Sequence, residues 1–214
     1  MYVVTADQID SRRTGDEVPQ AITLLAGVRP GAERAFERTA GDEIQGVTDD
    51  PADVVAVVES LVREDRWRIG IGVGSVEWPL PDSPRAGRGP AFHAARDAVT
   101  AAHSSTGQLA VRLGGGVRRT AAVGETDEVR ARHTRYAESA LALLARLLRA
   151  RTAEGWEVVD LLAAGLTQRA AAERLGVSAS AVSQRARRAG WVEQGRAVEL
   201  AVHHLSLADD RTEP

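Results

Sequence analysis

The chain has 214 residues, 43% of them hydrophobic and 27% charged, which suits one large domain or two small ones and is too apolar for a disordered polymer. Cysteine is absent, which excludes disulfides, thiolate nucleophiles and cysteine-ligated zinc. No run approaches the roughly 20 apolar residues of a membrane span, and the first ten residues carry carboxylates where a signal peptide carries positive charge, so a cytoplasmic chain without a membrane partner is expected.

In chain order, short β-branched or apolar runs predict strands over 2–5, 35–39, 44–48, 67–73 and 108–113. Helical spacing predicts helices over 18–26, 52–63 and 91–103, with Pro51 placed for a first helical turn. Gly41 and Asp42 make the tight hairpin between the second and third strands. The order βαββαβ, with one further helix and strand, predicts an α+β, ferredoxin-like domain over residues 1–120. The alternating glycines Gly70, Gly72 and Gly74 lie in a strand without the strand-turn-helix setting of a dinucleotide loop, so close backbone packing is expected there. His93, on a helix, is expected to be a half-buried imidazole.

From residue 127 onward the pattern is helical only. A long amphipathic helix over 127–151 repeats Tyr136, Ala140, Leu143, Leu144, Leu147 and Leu148 at helical spacing. It can link two domains, over 121–152, or pair with a second copy. An all-α domain is expected over 153–214, with helices at 154–164, 168–175, 179–189 and 192–207 and Gly165 at the end of the first.

Within it lies a helix-turn-helix. Thr167 and Ser178 can cap the two helices, Gly176 can take the left-handed turn, and Ala172 is small where the helices cross. Leu175, Val177, Val182 and Ala186 supply the apolar contacts between them. Ser180, Ser183, Gln184 and Arg187 then share one polar face, at i, i+3, i+4 and i+7, of a width that enters a major groove. Gln184 suits an adenine edge and Arg187 a guanine edge, while Arg169, Arg174, Arg185 and Arg188 suit phosphates, with Ser178 at the helix start. Net charge is −3 overall, yet residues 167–190 hold five arginines against one acid, a focused basic patch. The bland alternative is a packed helical hairpin with a solvated basic face.

Asp7 ends the first strand and Asp42 tips the hairpin, positions that a βαββ arrangement makes adjacent. Two carboxylates there could hold a divalent cation, with Arg12, Arg13 and Arg38 close by in sequence for a polyphosphate. Each Asp taken singly is an ordinary turn or cap residue.

The segment "LTQRAAAERLGVSASAVSQRARRAGW", residues 166–191, resembles the helix-turn-helix of sigma-factor region 4 and of related response regulators. The blocks "ADQIDSRR", "AGDEIQG", "RIGIGVGSV" and "GPAFHAARDA" resemble the SatD family, small bacterial proteins, over most of residues 1–105, and are more distantly similar to class III nucleotidyl cyclases. That second resemblance implies a palm-like core in which Asp7 and Asp42 bind Mg2+ or Mn2+, Arg38 occupies a base-selecting position and Arg96 is the transition-state arginine. The chain departs from the cyclase pattern in having Phe92 where an Asn orients the ribose, with His93 one place later, in having Arg38 for a Lys, and in lacking an acid just ahead of Gly89. Loss of ribose and base contacts lowers rate more than it lowers phosphate and metal binding, so a nucleotide-sensing, catalytically weak domain fits better than a working cyclase.

The leading expectation is a transcriptional regulator in which a cyclase-like sensor governs a DNA-reading module in a homodimer bound to double-stranded DNA, with a nucleotide as possible ligand. The alternatives are an enzyme acting on nucleoside triphosphates with an appended DNA-binding module, and a protein-interaction module that touches RNA polymerase.

Overall fold

A computed structural model describes residues 1–28, 34–105, 107–115 and 125–209. The protein is α+β, a five-stranded mixed sheet followed by a run of helices. Strand β1 is Tyr2–Gln8, followed by the single-turn helix α1 (Ser11–Thr14) and by α2 (Val18–Val28). Strands β2 (Arg34–Ala40) and β3 (Glu43–Thr48) form the hairpin, with Gly41 in the left-handed region at φ +56°. Helix α3 (Pro51–Glu64), strand β4 (Trp67–Val73), helix α4 (Pro90–Ala102) and strand β5 (Leu109–Leu113) complete the sheet domain. The strands lie in the order β2-β3-β1-β4-β5, antiparallel except for the last pair, which is parallel as its helical crossover requires.

Alternation along β1 divides the core. Tyr2, Val4 and Ala6 point to one face, where α2 and α3 pack, and Val3 points to the other, where Ala91, Phe92 and Ala95 of α4 pack. Helix α4 lies so close to β4 that a Cβ on Gly70 would stand 2.2 Å from the backbone nitrogen of Val99, and one on Gly72 2.0 Å from the carbonyl oxygen of Ala91. The alternating glycines are therefore a seat for a helix, as expected from their strand setting.

Strand β1 runs three residues beyond the expected 2–5. Asp7 and Gln8 read as a polar loop, but a central strand has partners on both edges, here Glu43 opposite Asp7 on β3 and Arg68 on β4. The buried Gln8 side chain then organises the next turn: its Nε2 donates to Thr14 Oγ1 (3.1 Å) and to the Gly15 carbonyl (2.6 Å), and its Oε1 accepts from the Glu17 N–H (3.1 Å).

Helix α5 (Glu125–Arg149), which covers most of the expected linking helix at 121–152, packs along β5 and α3. It is followed by α6 (Ala153–Ala163), α7 (Gln168–Leu175), α8 (Ala179–Arg188) and α9 (Trp191–Ala208). Helix α9 returns to the sheet domain: Ala201, Leu205 and Ala208 share one buried cluster with Tyr2, Leu61, Leu141 and Leu144, and the Tyr2 hydroxyl donates to the Leu205 carbonyl at 3.0 Å. Helices α6 to α8 have a small core of their own, Val158, Ala171, Ala172, Val182 and Ala186, and so stand as a three-helix insert between α5 and α9. Among the described residues no helix is long and apolar enough to cross a membrane.

Candidate nucleic-acid interface and a separate acidic cleft

The helix-turn-helix is built by the local signals that sequence spacing suggested. The Thr167 hydroxyl accepts from the Ala170 N–H at 3.2 Å, Ser178 accepts from the Ala181 N–H at 3.1 Å, and Gly176 closes α7 at φ +66°. Val182 and Ala186 face inward against Ala171 and Ala172, which leaves Ser180, Ser183, Gln184 and Arg187 exposed together on α8.

The surrounding arginines divide by surroundings. Arg174, Arg187 and Arg188 are exposed with no ion pair among the described residues. Arg169 is exposed beside Glu173 at 3.3 Å, an i,i+4 pair that a phosphate can displace at small cost. Arg185 is half-buried 3.8 Å from Glu157, and with Arg188, Thr152 and Glu154 it lines a groove of about 380 Å³ at the flank of α8. Ser178 spends its hydroxyl on the cap of α8.

The module is fastened to the body from both ends. Arg151, in the turn between α5 and α6, donates from Nε (3.1 Å) and Nη2 (2.8 Å) to the Ala189 carbonyl at the end of α8, and from Nη2 to Gln194 (2.9 Å) on α9. Gln194 in turn donates to Glu59 on α3, whose carboxyl is pushed up by burial and held down in part by that hydrogen bond. Arg63 of α3 makes a bidentate pair with Asp160 of α6, both bonds 2.8 Å.

In the sheet domain, Arg12, Arg38 and Asp42 line one open cleft of about 420 Å³ with Gln8, Ser11 and Asp16. Arg38 bonds the Gly41 carbonyl (2.7 Å) and the Asp16 carboxylate, which that hydrogen bond holds below the usual carboxylate range. Asp42 accepts from the Ser11 hydroxyl, and its own carbonyl accepts from the Gln8 N–H at 3.1 Å. Asp7 is not among the residues that line this cleft: on β1 it alternates with Gln8 to the other face of the sheet, and its carboxylate stands 3.5 Å from Arg68 and 3.8 Å from His103. Partial burial, followed by the negative charge of Asp42, raises the Asp7 carboxyl above its ordinary value despite those two bases.

The other expected ligand residues are elsewhere. Arg13 is exposed, with Asp10 3.9 Å away. His93 is exposed on α4, where a half-buried ring was expected, and Arg96 is exposed on the same helix; neither lines the cleft. Arg68, His103, Gln8 and Ser11 are the contributors that sequence reasoning missed. The pairing of β1 with β4, and the turn closed by Gln8, bring them in, and neither leaves a local signal.

The charge of Asp42 is felt at Asp7, and among the described residues no group of three or more acidic or imidazole side chains converges on a cation position. No family model, curated protein or solved structure matches this chain.

Proposed function

We propose that this chain is a DNA-binding transcriptional regulator that reads duplex DNA through α8. The observation that carries the reading is the exposed face Ser180, Ser183, Gln184 and Arg187 on a doubly capped helix-turn-helix with its own small core. Amide and guanidinium groups at i and i+3 on one helix face are the chemistry of base-edge readout, and the flanking arginines that of phosphate contact. A homodimer would present two such helices to paired half-sites. Salt-dependent binding to fragments of the chain's own promoter region tests this; the reading fails if Gln184→Ala and Arg187→Ala leave that binding unchanged.

The sheet domain is read as the sensor. Its support is the cleft in which Arg12, Arg38 and Asp42 meet, with two arginines for phosphate oxygens, together with the charge of Asp42 felt at Asp7, a repulsion that Mg2+ or Mn2+ would relieve. A ferredoxin-like, cyclase-related core is favoured by the strand order β2-β3-β1-β4, with α2 and α3 on one sheet face. Titration with nucleoside triphosphates and cyclic nucleotides, following heat and product together, separates the sensor from an enzyme. Binding without product supports sensing, and turnover lost in Asp42→Ala would replace it with catalysis.

A further inference from the structure

A cavity of about 110 Å³ lies between α2, α3 and strands β1 to β3, and it shares no lining residue with the cleft of Arg12, Arg38 and Asp42. Its floor is Gly46. Val4 of β1 points to this face of the sheet, and its partner on β3 is Gly46, which has no side chain to offer. The pairing of β2 with β3 slips between Arg34 and Glu37, so that Ala35 and Phe36 stand opposite Gly46 alone. The Phe36 ring lies over that bare backbone, so close that a Cβ on Gly46 would stand 2.7 Å from two ring carbons. Ile22, Leu25 and Ala26 cover the space from α2, at the i, i+3 and i+4 spacing of one helix face, and Val57 covers it from α3. With Ala26 small on the helix and Gly46 bare on the sheet, the two layers leave a gap that their side chains do not fill.

The polar side chains at its margin are engaged with each other. Thr48 Oγ1 donates to Asp53 Oδ2 at 2.9 Å and accepts from the Asp50 N–H at 3.1 Å. Asp53 is buried in the first turn of α3, where the helix N-terminus favours its charge. No lining residue among those described carries a positive charge. An anion entering here would meet the Asp53 carboxylate, and a strongly polar molecule would exchange its water for a wall that is mostly carbon. Native interiors keep few voids larger than a water molecule, and an apolar cavity of about 150 Å³ stays dry and takes benzene or xenon. We infer that this cavity is a binding site for one small uncharged apolar molecule of about benzene size, a single ring or a short hydrocarbon chain.

The test is a titration of benzene into the full chain, followed by amide nuclear magnetic resonance without DNA or nucleotide, so the outcome is independent of the function proposed above. The expected result is saturable shifts centred on Leu25, Gly46 and Val57, with a higher melting temperature at saturation. Butyrate, which has as many heavy atoms as benzene and a negative charge, should leave those resonances where they are. Val57→Phe, which puts a ring into the space, should weaken benzene binding at least about tenfold. Val57→Leu, checked by circular dichroism, should weaken it too and serves if the larger side chain prevents folding. Absence of a saturable shift would overturn the proposal. So would butyrate binding as tightly as benzene, or benzene binding undiminished in the folded Val57 variants.

Discussion

The guanidinium of Arg151 lies over the Trp156 ring, 4.3 Å from its centroid, and spans the turn that leads from the body into the three-helix insert. Arg63 of α3 stands at the same distance from the same ring. Arg151 is buried to 8% exposure, and the loss of its bonds to Ala189 and Gln194 would leave that carbonyl and amide without their partner. Arg151→Ala should cost about 2–4 kcal/mol in urea unfolding, through lost stacking as well as lost hydrogen bonds. Asp160→Ala, which breaks the solvent-facing pair to Arg63, should stay within about 1 kcal/mol. Equal costs would mean that the surface pair, and not the buried arginine, holds the insert in place.

Gln184→Ala and Arg187→Ala should each weaken binding to the preferred DNA sequence by about 1–3 kcal/mol and relax discrimination at one base position. Arg174→Ala and Arg188→Ala should weaken binding to all sequences alike and reduce its salt dependence. All four side chains are exposed, so circular dichroism and melting temperature should be unchanged. Fluorescence anisotropy with matched and mismatched duplexes over a salt series reads both effects.

Two kinds of glycine should respond differently to alanine. At Gly70 and Gly72 the new methyl would meet helix backbone that has no rotamer to yield, so Gly70→Ala or Gly72→Ala should cost about 3 kcal/mol or more, or prevent folding. At Gly176 nothing lies within 4 Å and only the φ of +66° is unfavourable, so Gly176→Ala should cost about 1 kcal/mol. Chemical denaturation of the three variants orders them.

Asp7 supplies a pH signature. Because its carboxyl is raised in the folded chain, the fold binds that proton more tightly than the unfolded chain does. The favourable contribution is present below the ordinary carboxylate value and is lost as pH rises through the folded one, so at neutral pH the ionised side chain is a net cost. Asp7→Asn should therefore stabilise the protein at neutral pH, by at most about 1 kcal/mol given its partial exposure, and the gain should vanish in acid. Melting curves at neutral and acid pH check the sign. A residue that costs stability where it stands is a candidate for function, and the same variant should lose any Mg2+ or nucleotide binding.

What was legible in the sequence was what is locally encoded. Thr167, Gly176 and Ser178 act within three or four residues of themselves, so the helix-turn-helix could be read almost to the residue, and hairpin geometry placed Asp42 and Arg38 together. The end of β1 was missed because Asp7 and Gln8 are polar and their strand character comes from neighbours at Glu43 and Arg68. Helix α1 was missed because four residues carry no period. The apolar stripe of α5 was visible, but its partner was not: periodicity says that Leu141 and Leu144 are buried, and nothing in it says that Leu205 and Tyr2 help to bury them. Helix α4 was recognised as a helix, but which of its sides meets the sheet depends on Gly70 and Gly72, so the exposure of His93 could not be foreseen.

The return of α9 to the first strand sets an order of events during synthesis. Helices α6 to α8 contact one another over short sequence separations and can close their small core soon after residue 191 has emerged from the ribosome. The sheet domain waits longer, because its core lacks Ala201, Leu205 and Ala208 until the last turns of α9 have left the ribosome. The segment read as the DNA reader is thus complete on the nascent chain before the body that is to position it. A chain truncated between residues 191 and 208 would carry a folded three-helix insert on an open-cored body, a species for chaperones to hold and, on the function proposed above, one whose DNA contact would escape control by the sheet domain.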